Sequence, residues 1–144
     1  MDYLKVLVEE IHSVVVATVD ETGHPHTAVM DMMWEDGKTV YFLTADFKPL
    51  YKRLKEDGRV AVTGMTQGAG TMDRKSISLT GQVEWIGKEH LEELLKANPY
   101  MYEIYPTEEG RSHLPVFRFK NSVGNFYDLT QLPPYQAGFE IEGR

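Results

Sequence analysis

The sequence of 144 residues contains no cysteine. Thiolate catalysis, disulfide bonds and thiolate metal sites are therefore excluded. It also lacks any apolar run that approaches the roughly 20 residues of a membrane-spanning helix. Its first ten residues, MDYLKVLVEE, are charged and amphipathic, unlike a signal peptide. These absences predict a cytoplasmic protein that has no membrane partner.

Positive charge is scarce as well. Fifteen Lys and Arg residues stand against 22 Asp and Glu residues, which gives a formal net charge of −7. Phosphate backbones are bound by positive surfaces, so nucleic acid is not expected as a partner. The glycine-containing stretch Gly68–Thr71 lacks the Lys-Ser/Thr pair of a phosphate-binding P-loop, and we interpret it as a hairpin tip.

Metal ligands are few. His24 and His26 alternate in Gly-His-Pro-His, so they would point to the same side of an extended segment. Two ligands do not make a metal site, and no third ligand with useful spacing is visible. No serine is surrounded by the glycines of a nucleophile elbow. The sequence predicts no metal, and its catalytic residues are unknown.

The segment Thr39–Leu54 contains a strand pattern followed directly by a helix pattern. Val40–Leu43 is rich in β-branched and aromatic residues and predicts a strand. Apolar residues then recur with the spacing of one helical face, at Phe47, Leu50, Tyr51 and Leu54. The segment therefore predicts a strand, a short turn and the N-terminus of a helix that ends at Asp57-Gly58, with Gly58 as its C-terminal cap.

The N-terminus of that helix is a candidate anion site. Asp46 is the predicted N-cap, and Pro49 falls in the first turn, where a missing N–H costs nothing. Free backbone N–H groups and the helix dipole favour an anion there. A hydroxyl and positive charges lie nearby on Thr44, Lys48, Lys52 and Arg53. The segment is either a phosphate site or an ordinary strand-to-helix connection with a solvated basic face.

Short strands dominate the remaining sequence. We predict strands at Val14–Val19, Thr27–Trp34, Thr39–Thr44, Val60–Thr66, Ser76–Ile86, Val116–Lys120 and Phe126–Leu129, with a turn at Asn121–Asn125. Helices are predicted at the N-terminus, after the third strand and after the fifth. The first strand is a β-branched run without polar alternation, which predicts burial on both faces. Gly81 predicts a bulge or a close backbone approach in the fifth strand. So many short strands in a small domain predict an α+β fold whose sheet curls or closes.

Several of these pieces occur in a characteristic order: VVVATVD, Gly23-His24-Pro25, a strand through Met30, then DGKTVYFLTA and a downstream lysine before Leu54. In this order the chain resembles the pyridoxamine-5′-phosphate-oxidase-like, FMN-binding split-barrel family. The resemblance extends more loosely through SISLTGQVE and VFRFKNSVGNFYDL. It implies a mainly antiparallel split β-barrel of about six to seven strands with peripheral helices. We place this single domain at residues 1–140 and set aside 141–144, IEGR, which matches a factor Xa cleavage sequence and is either an engineered remnant or native chance.

In that family FMN lies at the interface of a homodimer. The resemblance implies that the backbone of Val29, Met30 and Asp31 faces the flavin ring, and that Leu43 and Thr44 line the ring and the ribityl chain. The phosphate would be bound by Lys48, with help from Lys52. The partner chain would contribute Lys75 and Ser76.

Two positions depart from the family pattern. Many members carry an arginine on the second strand that reaches the phosphate, and Ala28 stands at the aligned position. His26 or Arg53 would have to compensate for it. The family's usual serine after the strand-three threonine is also missing, because Ala45 follows Thr44.

The chain also lacks the C-terminal arginine-histidine substrate motif of true pyridoxamine-phosphate oxidases. The resemblance therefore implies a shorter relative, an FMN-dependent oxidoreductase of an unknown small substrate, and not the vitamin B6 enzyme itself. One alternative is a flavin- or heme-binding module without turnover. Another is a structural dimer with a vestigial site.

Overall fold

The computed structural model describes residues 1–143. It has eight strands: β1 (Ser13–Val19), β2 (Pro25–Asp31), β3 (Trp34–Glu35), β4 (Val40–Leu43), β5 (Arg59–Met65), β6 (Lys75–Trp85), β7 (Val116–Asp128) and β8 (Tyr135–Ile141). The helices are α1 (Tyr3–Lys5), which continues as a π-helix (Val6–Ile11), α2 (Pro49–Glu56), α3 (Leu91–Ala97), α4 (Met101–Ile104) and α5 (Glu108–Arg111), and a 3₁₀ turn covers Thr71–Asp73. No helix within these residues is long and apolar enough to cross a membrane.

All strands belong to one antiparallel sheet with the order β2-β1-β5-β6-β7-β4-β3, and β8 pairs with β7 beside it. The sheet curls around a core that includes Val16, Phe42, Ile77 and Phe117, and α1 and α2 pack against this core. A second apolar cluster forms where α3 and α4 cover β4. The predicted α+β split β-barrel is confirmed.

The barrel splits where the second predicted strand breaks. We predicted one strand over Thr27–Trp34, but β2 ends at Asp31 and β3 begins at Trp34. Between them the backbone changes partners, since Met32 N–H donates to His12 O on one side and Met33 N–H donates to Tyr41 O on the other. As a result β2 has β1 as its single strand neighbour, and a gap remains between β2 and β4.

The turn predicted at Asn121–Asn125 is wrong, because β7 runs unbroken through it. β7 pairs with β6 along its whole length. On its other edge it pairs first with β4 and then, from Ser122 onward, with β8. Asn121 lies at this change of partners with a φ of 46°, which asparagine tolerates better than most residues, so the strand bends without ending. Ile141, set aside above, ends β8 and is buried in the core.

Glycines explain two further features of the sheet. The predicted bulge at Gly81 is confirmed by a register shift between Thr80 and Gln82, and a Cβ there would lie 2.2 Å from the Ser122 hydroxyl. Gly58 is not the predicted C-terminal cap of α2, because Asp57 takes that position. It lies where the backbone passes close to β6, and a Cβ there would lie 2.4 Å from Val83 O.

The prediction that β1 is buried on both faces is wrong for the single chain. Its side chains alternate between buried and open positions, and Val15 is 40% exposed. Val15 pairs with Val29 of β2, which is 74% exposed, and with Thr63 of β5. The centre of this outer face of the sheet, formed by β1, β2, β5 and β6, therefore presents uncharged side chains to solvent, with Asp31 and Arg59 at its ends.

Candidate functional site

A cleft of about 470 Å³ occupies the split in the barrel. This split cleft is bounded by the end of β2, the end of β4 and the first turns of α2, and α4 forms its far wall. Its size lies within the range of about 300–1,000 Å³ that is typical of small-molecule sites. The lining residues are Ala28, Val29, Met30, Asp31, Met33, Leu43, Thr44, Ala45, Lys48, Pro49, Leu50, Arg53, Met101, Ile104 and Tyr105.

Positive charge is confined to the α2 end of the split cleft. Lys48 is the N-cap of α2 and Arg53 lies one turn into the helix. Arg53 Nε donates to Thr18 Oγ1 of β1 at 2.8 Å, which holds the guanidinium against the sheet. Within residues 1–143 neither cation forms an ion pair with a carboxylate. Two uncompensated cations beside a helix N-terminus form an arrangement suited to a phosphate group.

The predicted N-cap, Asp46, is wrong. The helix begins two residues later than expected, at Pro49, and Lys48 has extended backbone without a side-chain cap. Asp46 instead accepts hydrogen bonds from His113 Nδ1 at 3.1 Å, and its own N–H donates to His113 O. The long-range contact with His113 outweighs the local capping preference, and it leaves the first N–H groups of α2 without a carboxylate.

Most of the predicted site residues come together in this cleft. Six of them line it, namely Val29, Met30, Asp31, Leu43, Thr44 and Lys48. Ala28 and Ala45, the two departures from the family pattern, line it as well. Lys52 does not line the cleft, and its Nζ lies 4.0 Å from Glu56 on the same helix. Arg53, considered above as a replacement for the missing arginine, does line it.

Lys75 and Ser76 lie elsewhere, at the start of β6. Lys75 Nζ is 3.4 Å from Glu10 Oε1 of the π-helix. Ser76 pairs with Met65, which places it on the outer face of the sheet together with Val15 and Thr63. Neither residue lines the split cleft of its own chain, so any contact with a ligand there would have to come from a second chain.

Asp31 is the one carboxylate among residues 1–143 that lines the cleft, and both its oxygens have partners. Ser13 Oγ donates to Asp31 Oδ1 and the Tyr100 hydroxyl donates to Asp31 Oδ2, each at 2.7 Å. His12 extends this network, since its Nε2 lies 2.9 Å from the Tyr100 hydroxyl. Burial and the neighbouring Asp31 carboxylate raise the pKa of Tyr100. Tyr100 therefore stays protonated and keeps its hydrogen bond to Asp31 at neutral pH.

Sequence reasoning missed the far wall of the cleft. Met101, Ile104 and Tyr105 line it, but the sequence pattern of Tyr100–Tyr105 predicted no part in the site. The run is too short to show a helical period, and nothing local indicates that it faces a strand 70 residues earlier. Only the density of apolar and aromatic residues in YMYEIY marked it as a segment that packs against something.

The paired histidines take part in a turn. His26 Nε2 lies 2.8 Å from Asp20 Oδ2, and Thr22 and the His24 N–H donate to Asp20 Oδ1. Hydrogen bonds from His26 and Thr22 lower the pKa of Asp20 below its ordinary value. In residues 1–143 no three His, Cys, Asp or Glu side chains group closely enough to bind a metal ion.

Comparisons with known proteins agree with this architecture. A family model described as pyridoxamine 5′-phosphate oxidase matches residues 2–127. No curated protein matches the sequence. A NimC/NimA family protein from Clostridium acetobutylicum has a similar structure, with a TM-score of 0.74 and 19% identity over 96% of this chain and 93% of that one.

Two further structures show the range of ligands found on this fold. A heme-binding protein from Mycobacterium smegmatis matches with a TM-score of 0.73 and 13% identity, over 96% of this chain and 57% of its own. A pyridoxamine 5′-phosphate oxidase-related, FMN-binding protein from Nostoc punctiforme matches with a TM-score of 0.64 and 11% identity, over 90% of this chain and 80% of its own. Identities this low establish the fold alone. The family model covers most of the sequence, and on that basis the chain belongs to the pyridoxamine 5′-phosphate oxidase family.

Proposed function

We propose that this protein binds FMN in the split cleft and acts as an oxidoreductase on a small molecule. The observation that carries the proposal is the pair of uncompensated cations, Lys48 and Arg53, at one end of a cleft whose other lining residues are mostly apolar. FMN has the same division, with a dianionic phosphate at one end and a flat aromatic ring at the other. The FMN-binding relative from Nostoc punctiforme supports the same assignment.

Different lining residues would bind different parts of FMN. Lys48, Arg53 and the first N–H groups of α2 would bind the phosphate. Leu43 and Thr44, both buried at the end of β4, would line the ribityl chain. The terminal strand segment Val29–Asp31 would face the ring with its backbone, whose N–H and C=O groups have no strand neighbour on that side. Bound FMN would supply hydride or electron transfer, and the protein would orient the flavin and exclude water from one face.

An absorbance spectrum of the protein purified without added cofactor tests the proposal. Bound FMN gives a yellow protein whose visible bands disappear on reduction. A Soret band would instead indicate heme, the ligand of the Mycobacterium smegmatis protein. Protein that is colourless as purified and does not take up added FMN would contradict the proposal.

We propose further that the protein forms a homodimer through the outer face of its sheet. Val15 and Val29 lie side by side there, and Met65 and Val123 are exposed on the same face. Thr63 and Ser78 form a registered pair between them, so the face carries no charge at its centre. An exposed apolar face on a sheet is a common protein interaction site. The same face carries Ser76 and adjoins the split cleft through Val29, so a partner chain could reach the ligand.

Val15→Glu is expected to convert the dimer to a monomer. The new carboxylate would be solvated in the monomer, where Val15 is already partly exposed, but it would be buried without a partner in the dimer. Sedimentation equilibrium measures the change. Leu132→Glu is the control, because Leu132 is also an exposed apolar residue but lies outside the strands of this face, and it should leave the dimer intact. A wild-type protein that is monomeric at all concentrations would contradict the proposal.

Ala28→Arg is expected to tighten FMN binding about tenfold, which corresponds to about 1.4 kcal/mol. The side chain would enter the cleft that Lys48 and Arg53 share and add a planar donor for the phosphate. It would also crowd three cations together, so the melting temperature should fall in the ligand-free protein and recover on addition of FMN. Unchanged FMN binding at wild-type stability would show that Ala28 does not lie beside the phosphate.

A further inference from the structure

The far wall of the split cleft is built by α4 and the residue that follows it. Met101, Ile104 and Tyr105 line the cleft together with Lys48 and Arg53 of the α2 segment. Met101 is buried, whereas Ile104 is 59% exposed. An isoleucine this exposed on the wall of a cleft leaves apolar surface available to a second molecule beside the flavin.

The wall is held firmly to the floor of the cleft. The Tyr100 hydroxyl, immediately before α4, donates to Asp31 Oδ2 at 2.7 Å. The buried Asn98 side chain donates to Met33 O at 2.9 Å and to Leu94 O at 2.8 Å. Two side chains of this segment therefore bind the end of β2 and the residues after it. The apolar wall is a preformed surface of the site and not a loose loop.

Among residues 1–143 of a single chain, none of the side chains that form this wall is positively charged. The cations of the cleft lining are Lys48 and Arg53, both at the α2 end. Arg111, which contacts the wall segment from behind, donates to Tyr105 O at 2.9 Å and lies over the Tyr102 ring at 5.1 Å, and it does not line the cleft. Asp31 is the one carboxylate of the lining, and its oxygens already accept from Ser13 and Tyr100.

We infer from this division that the α4 wall selects an uncharged, apolar ring compound as the substrate of the flavin, and that phosphorylated, sulfonated or carboxylated compounds are rejected. An anion bound at the wall would lose its hydration without gaining a cation, which is costly. Burial of an apolar ring against Met101 and Ile104 is favourable in proportion to its area. This inference rests on the proposed binding of FMN, because the flavin would occupy the cationic end and leave the wall to the substrate.

Equilibrium dialysis of the FMN-loaded protein against two probes tests the inference. Menadione is a neutral naphthoquinone, and a naphthoquinone sulfonate has the same ring system with one negative charge. The chain has no cysteine, so neither quinone can be captured by a thiol. Menadione is expected to bind at least about tenfold more tightly than the sulfonate. Equal affinities, or tighter binding of the sulfonate, would overturn the inference while leaving FMN binding intact.

A lysine placed on the wall should reverse the preference. Ile104→Lys is expected to tighten binding of the sulfonate about tenfold and to weaken binding of menadione, and the gain should shrink as salt is added. Tyr102→Lys is the matched control, because Tyr102 lies on the same helix and does not line the cleft. The same change in both variants would mean that overall charge is responsible, and it would overturn the role of the wall. Failure of the wild-type protein to take up FMN would overturn the proposed function and this inference together.

Discussion

The double variant Lys48→Ala/Arg53→Ala is expected to lose FMN affinity by about a hundredfold or more, and to bind riboflavin almost as well as the wild type. A charge-assisted hydrogen bond contributes about 1.5–3 kcal/mol, and the two residues supply both cations of the cleft. Riboflavin has the same ring and ribityl chain but no phosphate. Its affinity should therefore report on the rest of the site. Fluorescence titration of the two ligands measures the difference.

Lys52→Ala provides the matched control. Lys52 lies on the same exposed side of α2, near Glu56 and outside the lining of the cleft, so its loss should not change the affinity for either ligand. Arg53→Lys separates charge from geometry, because lysine keeps the charge but lacks the fork that contacts Thr18 and a phosphate together. Equal losses of FMN and riboflavin binding in the double variant would mean that the two cations act through folding of α2.

Phe117→Ala is expected to lower the free energy of unfolding by about 3–5 kcal/mol. Phe117 is completely buried, stacks on Phe42 with 5.6 Å between ring centroids, and meets the edge of Tyr51 at 6.0 Å. Removal of the ring would leave a cavity between the sheet and α2, which the rigid strands on either side could not close. Urea denaturation measures the change.

Phe117→Leu serves as the milder comparison, since it keeps most of the apolar volume and should cost much less. The Ala variant should also bind FMN more weakly, even after the unfolded fraction of the protein is taken into account. The reason is that Tyr51, which contacts Phe117, belongs to the helix that carries Lys48 and Arg53. A loss of less than about 1 kcal/mol in the Ala variant would show that the core repacks around the missing ring.

Local pattern was sufficient to predict a strand, a turn and a helix within Thr39–Leu54, but not the residue at which the helix begins. The strand is indicated by four consecutive apolar and aromatic residues, and the helix by the spacing of Leu50, Tyr51 and Leu54. The order of such pieces along the chain predicted the split barrel. Six predicted site residues lie together in one cleft for the same reason, since the end of β2 and the end of β4 are brought together by that fold.

Long-range contacts decide the features that sequence did not reveal. Asp46 is predicted as an N-cap, but in the structure its side chain contacts His113 instead. The stretch around Asn121 is predicted as a turn, but it remains a strand because β6 pairs with β7 on both sides of the bend. Val15 looks like the centre of a buried strand, and the single chain leaves it exposed. In each case the deciding partner lies on another element, where periodicity carries no information.

The unpaired side of β2 has a consequence beyond ligand binding. A strand with a single neighbour offers a row of free backbone N–H and C=O groups, which is a template for joining another chain edge to edge. A flavin that lies along Val29–Asp31 would cover part of that row, as a further strand or a protective loop does in other sheets. If FMN binds as proposed, it would therefore protect this edge against pairing with another chain, and the FMN-free protein should aggregate more readily than the FMN-loaded protein.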